Sequence, residues 1–216
     1  MNQNNFTVFL VDDDAGVLKA LSRLLRTKGY NVQPFVSPQE FLAKRDATAP
    51  GCAILDVTMP GLDGLNLQQA LSSEESLHPV IFLTGTGDIP TSVRAIQAGA
   101  LDFLTKPVNA DALFAAIARA EDQNAEARAT YAELASIQAK MATLTKRESE
   151  VLVHVVAGRL NKQIANDLGT VEKTIKVHRG RMMQKLGVHT VADLVRLAEK
   201  VGIRADRNTI TAQSGR

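Results

Sequence analysis

The chain has 216 residues, 45% hydrophobic and 22% charged, a length that suits two domains and a composition typical of globular proteins. No apolar run approaches the roughly 18 residues of a membrane span, and the polar start "MNQNN" lacks the layout of a signal peptide. The single Cys52 excludes an internal disulfide, which suits a reducing cytosol, so the expected location is cytoplasmic.

The charge is unevenly divided. Residues 1–122 carry 9 Lys/Arg against 14 Asp/Glu, a net −5, and residues 123–216 carry 16 against 9, a net +7. An acidic half joined to a basic half implies two jobs, with the basic half the candidate for a polyanion such as DNA.

In the acidic half, short apolar runs alternate with helical patterns. "TVFLV" (Thr7 to Val11), "NVQPF" (Asn31 to Phe35), "CAIL" (Cys52 to Leu55), "VIFL" (Val80 to Leu83) and "LDFL" (Leu101 to Leu104) read as strands. Val17, Leu18, Leu21, Leu24 and Leu25 form one helical face between them. Strands alternating with helices predict an α/β domain, a doubly wound five-stranded parallel sheet of flavodoxin-like type, with its ligand site outside the carboxyl ends of the strands. Cys52 lies within an apolar run and reads as a small core residue.

The polar residues gather at those strand ends. Asp12 and Asp13 follow the first strand, Asp56 the third, Thr84 the fourth and Lys106 the fifth. Three adjacent carboxylates, Asp12 to Asp14, repel one another unless something offsets them. A shared divalent cation does so, and hard oxygen donors with retained waters suit Mg²⁺ or Mn²⁺. Asp14 is left to cap the following helix or to remain solvated. A carboxylate beside a divalent cation, a lysine and a hydroxyl can attack phosphorus and form an acyl phosphate. That makes Asp56 the candidate nucleophile, with Lys106 and Thr84 placed to stabilise the entering phosphoryl group.

Residues 5–122 resemble a two-component receiver domain, and "TGTGDIPTSVRAIQAGALDFLTKP" is similar to its FixJ-like branch. The resemblance implies Asp56 as phosphoacceptor, with Asp12, Asp13, Asp56 and the backbone carbonyl of Thr58 as the metal site. It implies Thr84 and Phe103 as a switch pair, Lys106 as the phosphate-sensing lysine, and a cis Lys106–Pro107 peptide. The branch often carries Arg two positions after the phosphoacceptor, where this chain has Thr58. A residue there tunes phosphoryl lifetime, so the lifetime is not fixed by the motif. Two rival readings remain: an Asp-nucleophile phosphatase, disfavoured because Thr58 replaces the second acid such enzymes use, and a constitutive DNA binder with an inert receiver.

From Leu113 to Met141 the chain lacks Pro and Gly and is rich in Ala, Glu, Gln and Arg, which predicts one long helix. Leu113, Ile117, Ala120, Asn124, Ala127, Tyr131, Leu134, Gln138 and Met141 form a heptad-like stripe in which Asn124 and Gln138 are candidates for setting register. The stripe either pairs two chains or packs on the chain's own domains.

The basic half shows four short helical patterns. Thr145 with Glu148 fits a capping box, Gly158 ends that helix, and Asn161 to Leu168 is a second helix followed by a turn at Gly169. A third helix runs from about Val171 to Leu186 and a fourth from Thr190 to Val201. The order matches a helix-turn-helix. Ile175, Met182 and Leu186 would face inward, leaving Lys173, Lys176, Val177, Gly180, Arg181 and Gln184 outward for a major groove.

"LTKRESEVL", "NKQIANDL" and "EKTIKVHRGRMMQKL" resemble the LuxR-type DNA-binding domain. The resemblance implies that Lys173, Lys176 and Val177 approach DNA, with Asn161, Lys162, Thr174, His178 and Arg181 as phosphate contacts or supports. His178 reads equally as a hydrogen-bonded core residue. The implied organisation is a receiver at 1–122, a helical linker at 123–143, an all-α DNA-binding domain at 144–205 and a disordered tail at 206–216. The implied partners are a sensor histidine kinase, a double-stranded operator and a second copy of the chain when phosphorylated or DNA-bound; RNA polymerase is a further candidate. The expected role is therefore a non-metabolic response regulator in which phosphorylation of Asp56 controls transcription.

Overall fold

A computed structural model describes residues 5–60, 63–85 and 99–203. Two compact units emerge, Met1–Ala129 and Thr130–Arg216. The predicted disordered tail and much of the "TGTGDIPTSVRAIQAGA" stretch lie outside the described residues.

The first unit contains the strands β1 (Thr7–Val11), β2 (Asn31–Phe35), β3 (Gly51–Asp56), β4 (Val80–Thr84) and β5 (Asp102–Thr105). They form one parallel sheet in the order β2-β1-β3-β4-β5. Helices α1 (Ala15–Thr27), α2 (Pro38–Lys44) and α3 (Gly64–Ser73) connect them, and α4 (Ala110–Ala142) follows β5. Every residue of β1, β3 and β4 is buried, which is why those runs are apolar without alternation.

Side chains still alternate between the two faces. Val8, Leu10, Ile54 and Ile81 pack on one face with Leu18, Leu21 and Leu25 of α1 and Leu113, Ile117 and Ala120 of α4. Phe9, Val11, Leu55 and Phe82 pack on the other with Phe41 of α2 and Leu67 and Leu71 of α3. Cys52 is fully buried, and burial pushes its thiol well above the usual range, as a core residue requires.

Helix α4 is a single 33-residue helix. The first half of its predicted stripe is consumed by the receiver sheet. Asn124 in particular does not face a partner helix. It is buried, its Oδ1 accepts from Gly51 N at 3.3 Å and its Nδ2 donates to Leu77 O at 2.7 Å. Bound at both ends inside the receiver and only 1% exposed, that amide is not available to a second chain. Farther along, Tyr131 is exposed, and the buried residue is Ile137, which lies off the predicted stripe.

In the second unit, α5 (Lys146–Val156), α6 (Asn161–Asp167), α7 (Glu172–Leu186) and α8 (Val191–Lys200) surround a core of Val151, Leu152, Ile164, Ile175, Met182 and Leu194. The capping box at Thr145 and Glu148 is formed in both directions. Gly158, Gly169 and Gly187 have positive φ at three helix ends, a conformation glycine adopts without penalty.

Candidate functional site

The pocket of the first unit forms at the carboxyl ends of β1, β3, β4 and β5. Asp14 is not part of it: its carboxylate caps α1, accepting from Gly16 N at 2.7 Å and Val17 N at 3.2 Å. Asp12, one residue beyond β1, is buried and accepts from the Asp14 amide at 2.9 Å. Asp13 is exposed. Asp56 ends β3 and is buried. The carboxylate oxygens of Asp12, Asp13 and Asp56 can all lie within 4.8 Å of one another.

Lys106 projects into this cluster just beyond β5. Its ammonium donates to Asp12 Oδ2 at 2.6 Å and lies 3.3 Å from Asp56 Oδ1. Its own amide donates to the Thr84 carbonyl at 2.6 Å, which ties the lysine to the end of β4. The Lys106–Pro107 peptide is cis. Burial pushes the Asp56 carboxyl above its ordinary range, Lys106 opposes that, and Asp12 reinforces it. The Thr58 amide also hydrogen-bonds to the Asp56 carboxylate. Burial alone would lower Lys106; its hydrogen bond to Asp12 and the charges of Asp12 and Asp56 outweigh that and raise it.

Thr84 is buried at the end of β4, and Thr58 is exposed just beyond β3. Phe103 is half-buried on β5, in register with Phe82, and the two ring centroids are 6.4 Å apart. Asp12, Asp13, Asp56 and Lys106 are thus brought together directly, while Thr84 and Phe103 flank them on neighbouring strands. An all-oxygen anionic donor set of this kind fits a divalent cation.

The second unit presents a different chemistry. Lys173, Lys176, Val177 and Arg181 of α7 are exposed, and Lys162 is exposed at the start of α6. Lys176 lies 3.2 Å from Glu172 one turn earlier, an exposed pair of little energetic weight. Thr174 and His178 are half-buried. Asn161 is half-buried as well and accepts from Arg179 at 3.0 Å.

Several positioning residues escaped the sequence reading. Arg147 donates to the Leu168 carbonyl at 3.0 Å and pairs with Glu150 at 2.7 Å. Lys185 joins the end of α7 to Glu148 at 2.6 Å and to the Thr143 carbonyl at 3.0 Å. The Lys185 bond, with those from Thr145, pulls the Glu148 carboxyl down to about 2. Only the capping box had marked Glu148 beforehand; nothing in the spacing pointed to Lys185.

Residues 8–118 match the response regulator receiver domain family, and residues 142–198 match the luxR family of bacterial regulatory proteins. The response regulator protein TmoT of Ectopseudomonas mendocina is 42% identical over 201 residues, covering 93% of this chain and 91% of TmoT. The transcriptional regulatory protein FixJ of Bradyrhizobium diazoefficiens is 37% identical over 199 residues, covering 92% of this chain and 97% of FixJ. The solved structure of the response regulator StyR superposes with a TM-score of 0.79 at 43% identity, covering 91% of this chain and 99% of StyR. With both family matches and these relatives covering nearly the whole chain, it belongs to the FixJ-like transcriptional response regulators, with a receiver domain followed by a LuxR-type DNA-binding domain.

Proposed function

We propose that Asp56 is the phosphoacceptor through which a sensor histidine kinase controls DNA binding. The observation that carries this reading is Lys106, whose ammonium bridges Asp12 and Asp56 at the strand ends. A carboxylate held beside a fixed cation is oriented for attack, and the same cation then meets the charge it creates. An Asp56 oxygen attacks the phosphorus of a phosphohistidine, the P–N bond breaks, and the imidazole leaves with its electron pair and takes up a proton. Lys106 follows the transferred oxygens, and the Thr84 hydroxyl donates to one of them. Asp12, Asp13, Asp56 and the Thr58 carbonyl would hold Mg²⁺ or Mn²⁺, which supplies charge neutralisation for the phosphoryl group. Hydrolysis of the acyl phosphate by water returns the chain to its starting state.

Phosphorylation then biases two conformations of the Thr84 and Phe103 pair. Phe103 is half-buried, a position from which it can turn inward. The proposed domains are 1–122, 123–143 and 144–205. Lys173, Lys176 and Val177 read the major groove, with Asn161, Lys162, Thr174, His178 and Arg181 at or behind the phosphates. Two chains read an inverted repeat, and RNA polymerase is a further partner. Among the described residues no helix is long and apolar enough to cross a membrane; we place the chain in the cytoplasm.

The test is an intact-mass spectrum after incubation with acetyl phosphate and Mg²⁺, beside Asp56→Ala. One added phosphoryl group, absent from the variant, is the expected result. Equal addition to both proteins would place the phosphoacceptor elsewhere.

A further inference from the structure

The inward stripe of α7 is interrupted between Ile175 and Met182, where His178 and Arg179 are half-buried. Ile175, Met182 and Leu186 are fully buried. Position 179 lies four residues after Ile175 and three before Met182, so helix geometry puts it in the same stripe. It is an arginine. A guanidinium at a core-facing position is costly unless its donors are met. Arg179 is half-buried, and its Nη1 donates to Asn161 Oδ1 at 3.0 Å, across to the first residue of α6. The aliphatic stem completes the stripe while the head ties the two helices of the helix-turn-helix together.

That bond also fixes which way the amide faces. A guanidinium has donors and no acceptor, so only the carbonyl oxygen of Asn161 can meet it. Nδ2, with its two donors, is thereby turned away from Arg179. This end of α6 borders solvent: Leu160 is 68% exposed and Lys162 is exposed. The neighbouring helix carries exposed Lys173, Lys176 and Arg181. Outward amide donors among cations suit a phosphate oxygen.

We propose that Arg179 is a positioning residue for DNA binding. It orients the Asn161 amide as a donor to the phosphate backbone and fixes the start of α6 against the recognition helix, and it does not touch DNA itself. This inference rests on the proposed DNA-contacting role of Asn161.

A cation that contacts no phosphate has a distinctive signature. Losing a cation that does contact one reduces the slope of log K against log salt by about 0.9. The experiment measures binding of the full chain to a mixed-sequence duplex of about three helical turns, by fluorescence anisotropy across a salt series. The variants are Arg179→Met, Asn161→Ala and the double substitution, each checked by thermal melting. Each single change is expected to weaken binding roughly three- to tenfold, the worth of one hydrogen bond, with the slope unchanged. The double variant is expected to bind no more weakly than Asn161→Ala alone, because the arginine acts through the asparagine. If Arg179→Met fails to fold, Arg179→Leu, which likewise removes the charge and the donors and suits the apolar stripe, replaces it in the same cycle. A slope reduced by about 0.9 in the arginine variant, or additive losses in the double variant, overturns the inference. Absence of binding by the parent chain both with and without acetyl phosphate and Mg²⁺ instead overturns the DNA-contacting role on which it rests.

Discussion

Gly64, the first residue of α3, offers a sharp test of how the receiver pocket is held. A Cβ built there would lie 2.4 Å from the Asp56 carbonyl oxygen and 2.9 Å from Phe82 Cε1. Ordinary contact begins near 3.4 Å, so the helix start must retreat by about 1 Å or the end of β3 must yield. Neither is free to do so. The Gly64 amide donates to the Val57 carbonyl at 3.1 Å, and Leu67 and Leu71 of the same helix are packed into the sheet's Phe82 face. The Asp56 backbone is itself in register with Leu83. Overpacking of this kind costs about 1–3 kcal/mol, and a backbone obstacle argues for the upper end. For a domain of this size that lowers the melting temperature of the receiver by on the order of 10 °C. The displaced strand end also carries the Asp56 carboxylate off its line to Lys106, so phosphorylation by acetyl phosphate slows in the same variant. Gly180 in α7 is the internal control. It is exposed and helical, and a Cβ there meets nothing within 4 Å. Gly180→Ala therefore stabilises the second unit by about 0.5–1 kcal/mol through the unfolded chain. Scanning calorimetry of the full chain reads both changes. A Gly64→Ala melting temperature within about 2 °C of the parent would refute the packing argument.

The remaining predictions concern polar groups. Asn124→Ala removes two hydrogen bonds and leaves the Gly51 amide and the Leu77 carbonyl without that partner, a loss of about 2–4 kcal/mol. Hydrogen exchange should show the Gly51 amide losing protection; unchanged protection would contradict the assignment. The Glu148 carboxyl is depressed from near 4.5 to about 2 by Lys185 and the Thr145 amide. A depressed folded-state value stabilises above the unfolded value, so the contribution is complete above about pH 4.5 and disappears as pH falls to about 2. The melting difference between the parent and Glu148→Gln should follow that course. A difference constant across the range would show that the ion pair with Lys185 is not its source.

Much of the receiver was legible because buried parallel strands leave a strong sequence signal. β1 and β2 run over the predicted residues, and β3 and β4 each gain their polar terminal residue, Asp56 and Thr84. At their carboxyl ends the added residues are polar: a strand assigned by apolar content stops short of the carboxylate or hydroxyl that closes it, and these are the residues proposed for the site. The pocket was legible for the same topological reason, since strand ends in such a sheet converge whatever the intervening loops do. The roles of Lys106 as a bridge and of the Thr58 amide as a donor were not legible, because spacing along a chain does not report which lone pair a donor reaches. In the basic half, Thr145 and Glu148 were found through a local motif, while Lys185, 37 residues after Glu148, belongs to no local pattern.

Two polar residues break apolar helix stripes in the same way. Asn124 interrupts the apolar stripe of α4, and Arg179 interrupts that of α7. A polar residue in an apolar stripe admits three explanations: it sets register against a partner, it is tolerated at an edge, or it binds something inside the same fold. The heptad spacing makes Asn124 a candidate for the first while leaving packing on the chain's own domains open, and no motif marks Arg179. The structure supplies the third for both. Asn124 reaches the first residue of β3 and the loop before β4, and Arg179 reaches the start of α6. In each case the side chain meets groups that the stripe's own apolar neighbours cannot, which makes the interruption specific rather than merely tolerated. A break in a helix stripe is therefore best read first as a tie between elements of one unit. The coiled-coil alternative gains weight only where the side chain remains exposed after folding, as Gln138 does farther along α4. If α4 pairs with a second chain, Gln138 is the polar position available to set register, and Asn124 is not.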